Sequence, residues 1–236
     1  MVRLPVAGSS ELYSVQPSKI IALGLNYRDH VAESQSVKVS GFTNEVPVEP
    51  ILFAKTPNVL VGTGESIILP RILADYKFPD ARTDHEAELA IIISHRCADV
   101  TEQNAFSVIL GYTCMNDVSQ RNIQNGDRSG WFRGKSFDTF GPIGPRLVPA
   151  DQIGDPQNLE IVCRLNGVET QHSNTRHMIF PVPKIIAFVS RNFTLEAGDI
   201  ILTGTPSGVS PLHAGDIVEV EIERIGVLRN PVSLAA

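Results

Sequence analysis

A mixed α+β domain dominated by sheet is the fold class the sequence predicts, and three observations predict it. Short apolar runs of strand length recur along the chain, turn residues bracket them, and few windows carry a helical period. No repeat and no linker-like stretch interrupts the 236 residues, a length that one well-filled domain accommodates. With 42% hydrophobic and 19% charged residues, the chain has enough apolar material to fill a core and is not of the disordered class.

Taken in order, "KIIALG" (19–24) reads as a buried strand and "RDHVAES" as a short polar helix. Residues 35–50 show neither helical nor alternating period; a loop of that length inside a compact domain is expected to be a lid or a binding loop. "ILFAK" and "SIILP" read as short strands, and "EAELAIII", covering 86–93, reads as another. Thr101 is placed to N-cap a helix over "EQNAFSVIL", with Glu102 suited to its first turn. "GYTCMND" returns as a strand ending in Asp117. Asn166-Gly167 predicts a hairpin, because both residues accept positive φ. "PKIIAFVSRNF" starts on a proline and places Ile185, Ile186, Phe188 and Val189 as a helix's apolar positions. "GDIILTG" and "GDIVEVEIERIG" are strands, the second with Val218, Val220 and Ile222 on one face.

The net charge of −6, with no cluster of Lys or Arg to offset it, argues against a nucleic-acid surface. Cys97, Cys114 and Cys163 are odd in number and form no C-x-x-C pair, which fits a reduced interior better than a disulfide framework. The apolar runs are strand-length and the first residues hold no continuous apolar core of a signal peptide. The expectation is a cytoplasmic protein without membrane contact.

Glu86 and Glu88 lie at the mouth of an apolar run. Residues i and i+2 of a strand point to the same side, so the two carboxylates project together and repel. Two arrangements fit: a solvated strand face, which is the commoner, or a hard-cation site, for which carboxylate oxygens suit Mg²⁺, Mn²⁺ or Ca²⁺. A cation site wants a third oxygen ligand, and Asp117 at the end of another strand offers one. Lys135 in "GWFRGKS" is one residue short of the phosphate-cradling P-loop spacing, so nucleotide binding is rejected. His172 and His177, in a polar stretch without a carboxylate helper, are expected to be solvent-exposed. Asp138 is expected to brace a turn, and Cys114 and Cys163 to be inert core residues.

The stretches "NYRDHVAE", "FAKTPNVLVG", "DHEAELAIII", "GYTCMNDVSQRN", "RGKSFDTFGPIGP" and "GDIILTGTPSGV", in this order, resemble the fumarylacetoacetate hydrolase superfamily, specifically its short single-domain members. The resemblance covers residues 20–232. It implies an α+β, mixed β-roll fold, dominated by short strands with a few short helices, as one catalytic domain over 1–236. Residues 1–18 would be an N-terminal extension and 35–50 the lid. It further implies a homodimer and Mg²⁺ or Mn²⁺ as cofactor, with Ca²⁺ as a stand-in in crystals.

Carried over residue by residue, Glu86, Glu88 and Asp117 resemble the metal ligands and Lys135 the active-site lysine beside them. Arg121 and Gln124 resemble groups that hold the substrate's polar far end, and Thr205 the threonine contacting the substrate carboxylate. His30 and Glu33 resemble the pair that activates water, and their i, i+3 spacing gives them one helix face. Tyr27, next to that pair, is expected to line the pocket. The activity implied is metal-dependent cleavage of a small 2-oxo (di)carboxylic acid through a metal-stabilised enolate. That cleavage is hydrolysis of an acylpyruvate, as in aromatic catabolism, or decarboxylation of oxaloacetate. "GKSFDTFGPIGP" and "VCRLNGVETQ" look closer to the family's dienedioate isomerases and oxaloacetate tautomerases, so isomerisation stands as the alternative. A non-catalytic protein binding a metal and a 2-oxo acid is the alternative of another class.

Overall fold

The computed structural model describes residues 1–33, 46–126 and 131–235. Two mixed sheets carry the fold. In the larger, seven strands run in the order Ile51–Lys55, Ile20–Gly24, Ile200–Leu202, Ala87–Ile93, Ile109–Asn116, Gly141–Pro149 and Leu60–Val61. The smaller has five, Val168–Asn174, Glu160–Leu165, Ile217–Ile222, Gly226–Leu234 and Ile67–Leu69. Short helices, the longest Val182–Asn192, complete an α+β arrangement in which sheet dominates.

The central strand Ala87–Ile93 is buried at all seven positions, which explains an "AELAIII" run that is apolar on both faces except at Glu88. It pairs antiparallel with Ile109–Asn116 on one side and Ile200–Leu202 on the other. Ile200–Leu202 in turn pairs parallel with Ile20–Gly24, joining segments about 180 residues apart in sequence. One hydrophobic cluster runs from Val2 to Val232 and includes Leu89, Ile91, Met115, Cys114, Ile161, Cys163, Val218, Val220 and Ile222. Strand Ile217–Ile222 alternates as expected, with Val218, Val220 and Ile222 buried. Helix Val182–Asn192 buries Val182, Ile185, Ile186 and Val189, while Phe188 stays half-buried. The hairpin turn at Asn166 and Gly167 has φ of 54° and 79°, as the paired-positive turn requires.

Within residues 1–18, Arg3–Pro5 pairs with Leu12–Ser14, and Val2, Leu4 and Val15 join the core. Two local expectations are corrected. Thr101 has extended backbone ahead of Glu102–Val108, but its side chain makes no cap bond and the segment is a 3₁₀ helix. The strand expected to begin at Glu86 starts at Ala87, and the one expected to end at Asp117 stops at Asn116, which leaves both acids at strand termini. The lid assigned to 35–50 falls at 35–45 outside the described residues.

Candidate metal centre

Strand ends build the site. Glu86 precedes strand Ala87–Ile93, Glu88 is its second residue, and Asp117 follows the neighbouring strand Ile109–Asn116. The Asp117 amide donates to the Glu86 carbonyl at 2.8 Å, and the Asn116 side-chain oxygen accepts from the Glu86 amide at 2.9 Å. Those two bonds lock the strand ends in register and bring one carboxylate oxygen from each of Glu86, Glu88 and Asp117 within 4.8 Å of one another. All three are buried.

Two lysines and an arginine neutralise most of this charge. The Lys135 ammonium, on the short helix Phe132–Lys135, donates to Glu86 Oε2 and Asp117 Oδ2, both at 2.6 Å. Lys55, at the end of strand Ile51–Lys55, donates to Asp117 Oδ1 at 2.6 Å and to the carbonyls of Val118 and Lys135. Arg121 gives Nε to Asp84 at 2.8 Å, Nη2 to Glu86 at 2.5 Å and Nη1 to Gln124 at 3.0 Å. Burial disfavours ionised Glu86, but Arg121 and Lys135 outweigh it, and the carboxyl lies well below the usual carboxylate range. Burial likewise opposes the charge on Lys135, and Asp117 and Glu86 outweigh it, so its pKa rises. For Lys55 burial wins and the pKa falls.

Glu88 differs. Among the described residues no cation pairs with it; its Oε2 accepts from the Gly204 amide at 2.7 Å. Burial, then Asp117, then Glu86 push its carboxyl well above the usual range. A buried carboxylate facing two others without a counter-ion is the arrangement a hard divalent cation satisfies, and an all-oxygen donor set suits Mg²⁺ or Mn²⁺.

The cavity above the triad has a polar wall of His30, Arg121, Gln124, Lys135 and Thr205 and an apolar wall of Leu23, Leu25, Phe53 and Trp131. Trp131 meets Phe53 edge-on, with centroids 5.3 Å apart, and its ring lies where a Cβ on Gly24 would sit, 2.6 Å away. Glycine at 24 is what admits the indole. Lys135 Nζ stands 4.7 Å from the Phe53 ring centre, an added favourable contact for its charge.

His30 reaches the cavity from helix Arg28–Glu33 and is buried. Glu33 ends that helix, but its side chain lies outside the described residues, so the expected His30–Glu33 pair has one described member. Thr205 lines the cavity from the loop after strand Ile200–Leu202. Arg121 and Gln124 both line the cavity; Arg121 is tied by three nitrogens, so it also braces Glu86 and engages Gln124 Oε1. Tyr27 does not line the cavity; it is buried, its hydroxyl has no hydrogen-bond partner among the described residues, and burial and the nearby Glu88 raise its pKa.

His177 is exposed and Asp138 accepts from Asn58 Nδ2 at 2.6 Å, bracing its turn. His172 is exposed too, but it sits on strand Val168–Asn174 between Glu169 and Glu160, so it does have carboxylate neighbours. Lys55 went unassigned in the sequence although "FAKTP" contains it; a lysine closing an apolar strand reads as an exposed end. Asn26 was missed as well: it is buried, donates to the carbonyls of Thr203 at 2.7 Å and Phe180 at 3.2 Å, and accepts from the Phe180 amide. It holds the loop whose Gly204 amide reaches Glu88, and a Cβ at Gly204 would meet Asn26 Cβ at 2.7 Å.

The family model for the fumarylacetoacetate (FAA) hydrolase C-terminal matches residues 19–233. The chain is 42% identical over 244 residues to the mitochondrial oxaloacetate tautomerase FAHD2A of Bos taurus, covering 98% of this chain and 72% of that one. It is 38% identical over 241 residues to the 2,4-didehydro-3-deoxy-L-rhamnonate hydrolase of a Sphingomonas species, covering 98% and 79%. Among solved structures, fumarylpyruvate hydrolase from Pseudomonas aeruginosa with Mn²⁺ and pyruvate superposes with a TM-score of 0.83 at 29% identity, covering 99% and 96%. The 2-hydroxyhepta-2,4-diene-1,7-dioate isomerase from Mycobacterium marinum gives 0.79 at 38% identity, covering 94% and 77%. A family match over nearly the whole chain, on an α+β roll of mixed sheets, shows that this protein belongs to the fumarylacetoacetate hydrolase superfamily.

Proposed function

We propose that the protein is a divalent-metal-dependent enzyme that acts on a small 2-oxo acid, cleaving it by hydrolysis of an acylpyruvate or decarboxylation of oxaloacetate. The observation that carries this reading is the buried Glu86, Glu88 and Asp117 triad, with Glu88 unpaired with a cation among the described residues, under a cavity that Lys135 and Thr205 also line. Glu86, Glu88 and Asp117 would hold Mg²⁺ or Mn²⁺. When bound, the ion would supply Lewis acidity toward a 2-oxo acid.

The remaining roles belong to the chain. Lys135, kept protonated by Glu86 and Asp117, supplies positive charge beside the forming enolate oxygen. Thr205 donates to a carboxylate oxygen, and the Phe53–Trp131 wall excludes water from that side. His30 accepts the proton of the attacking water at an imidazole nitrogen. Isomerisation is the second reading, and a specific observation favours it. The tautomerase above is 42% identical to this chain, against 38% for the rhamnonate-derivative hydrolase and 29% for fumarylpyruvate hydrolase. Incubation with oxaloacetate and with acetylpyruvate in Mn²⁺, followed by proton NMR, separates the two. Pyruvate release that His30→Ala abolishes supports cleavage; keto–enol exchange without release would replace it by isomerisation.

A further inference from the structure

The loop that carries Thr205 is seated on an irregular strand. In the pairing of Glu160–Leu165 with Val168–Asn174, Cys163 faces Gln171 and Arg164 faces Glu169, so Thr170 is an extra, bulged residue. A bulge re-aims the side chains beside it. Here it turns Gln171 inward, where it is 1% exposed on an edge strand otherwise buried only at Asn174. Gly208, at φ +95°, lies against the bulge so closely that a Cβ would come 1.9 Å from the Thr170 carbonyl oxygen.

The polarity of the buried Gln171 amide is fixed from both ends. Its Oε1 accepts from the Ala87 backbone amide at 3.0 Å, a group that can only donate. Its Nε2 donates at 2.8 Å to the Pro206 carbonyl, a group that can only accept, and at 2.8 Å to Thr205 Oγ1. A flipped amide would set oxygen against oxygen and N–H against N–H. Thr205 Oγ1 therefore accepts from Gln171, and its own proton remains for an acceptor in the cavity that Thr205 lines. A second link backs the first: His85 Nδ1 lies 3.2 Å from Gln171 Oε1, with Ser210 Oγ at 2.7 Å from the opposite ring nitrogen.

We propose that Gln171 is a positioning residue that holds the Thr205 hydroxyl as a donor and so selects an anionic oxygen, the carboxylate of a 2-oxo acid, at that point of the cavity. This rests on the function proposed above and adds to it a residue outside the cavity wall. Gln171 touches no substrate; it acts by dictating which way one hydroxyl proton points.

Oxalate, a planar dicarboxylate, is the probe, titrated calorimetrically into Mn²⁺-loaded protein near pH 8. Gln171→Glu keeps the acceptor facing Ala87 but sets an oxygen against Thr205, drawing its proton away from the cavity. Loss of a hydrogen bond to a charged group predicts roughly tenfold weaker oxalate binding. Thr205→Val should weaken it similarly, Thr205→Ser should restore it, and the Gln171→Glu/Thr205→Val double variant should be no worse than either single one. Mn²⁺ affinity should stay within about twofold in all of them. If Gln171→Glu fails to fold, Gln171→Met, which fills the same volume without polar atoms, should also weaken oxalate only when Thr205 is present. Oxalate affinity unchanged by Gln171 substitution, or losses that multiply in the double variant, would overturn the inference alone. A wild type that binds Mn²⁺ but no oxalate would remove the proposed function and this inference with it.

Discussion

Three carboxylates meet at the cavity floor, and Lys55, Arg121 and Lys135 reach two of them. Glu88, the third, makes the metal-free protein sensitive to pH. Its folded-state carboxyl is raised by burial, Asp117 and Glu86, so the folded form keeps a proton that the unfolded chain has already released. Stability without metal should fall as pH rises from the ordinary carboxylate range through that raised value. Glu88→Gln should remove this fall while abolishing Mn²⁺ binding; thermal melts in EDTA across pH, paired with calorimetry, check both. Glu86 works in the opposite sense, because its folded carboxyl is lowered: its contribution is present above the unfolded carboxylate value and lost in acid. Lys55 is fully buried against Asp117, and Lys55→Met should cost about 3–5 kcal/mol by stranding part of that charge, read as a shifted urea midpoint. The two glutamates and Asp117 could be read from the sequence as an acidic set because strand alternation puts i and i+2 on one side. Lys55 and the engagement of Arg121 could not, because ion pairs between strand ends depend on register that no local pattern states.

Elements, rather than single residues, carry the loop that bears Thr205. Its seat is the bulge at Thr170 and the close approach of Gly208, whereas Gly167 in the hairpin turn has open space at its missing Cβ. Both have positive φ, so alanine at either should cost about 1–2 kcal/mol in backbone strain. Gly208→Ala should cost clearly more, because its Cβ would collide with backbone, and it should weaken oxalate binding as the loop lifts. Gly167→Ala should leave ligand affinity unchanged; melting temperatures and oxalate titrations of the pair test the contrast. The hairpin could be read from Asn166-Gly167 because a two-residue turn is encoded in two residues. The bulge could not, since one extra residue in a strand leaves no compositional mark. The cap expected at Thr101 failed for a related reason: an extended residue before a 3₁₀ turn has the right backbone, but its hydroxyl still has to find a donor.

At the scale of the whole molecule, the metal site closes contacts between distant parts of the chain. Strand Ile20–Gly24 pairs parallel with Ile200–Leu202, and the cavity collects His30, Glu86, Lys135 and Thr205. A ligand that binds only this assembled state stabilises all of it. Mn²⁺ at about a hundred times its dissociation constant should add about 2.7 kcal/mol, which for a chain of this size raises the melting temperature by roughly 5–10 °C. EDTA should reverse the shift, and Glu88→Gln should not show it. Strand content and the apolar faces could be read from periodicity; strand order could not, because an apolar run does not name its partner.

The buried acidic triad is read as serving metal-dependent chemistry on a 2-oxo acid. The most direct test follows oxaloacetate and acetylpyruvate by proton NMR with wild-type protein in Mn²⁺, in EDTA, and with Glu88→Gln in Mn²⁺. At least one of these compounds should be converted in the first sample and neither above background in the other two. Conversion that persists undiminished in EDTA and in Glu88→Gln would contradict that reading.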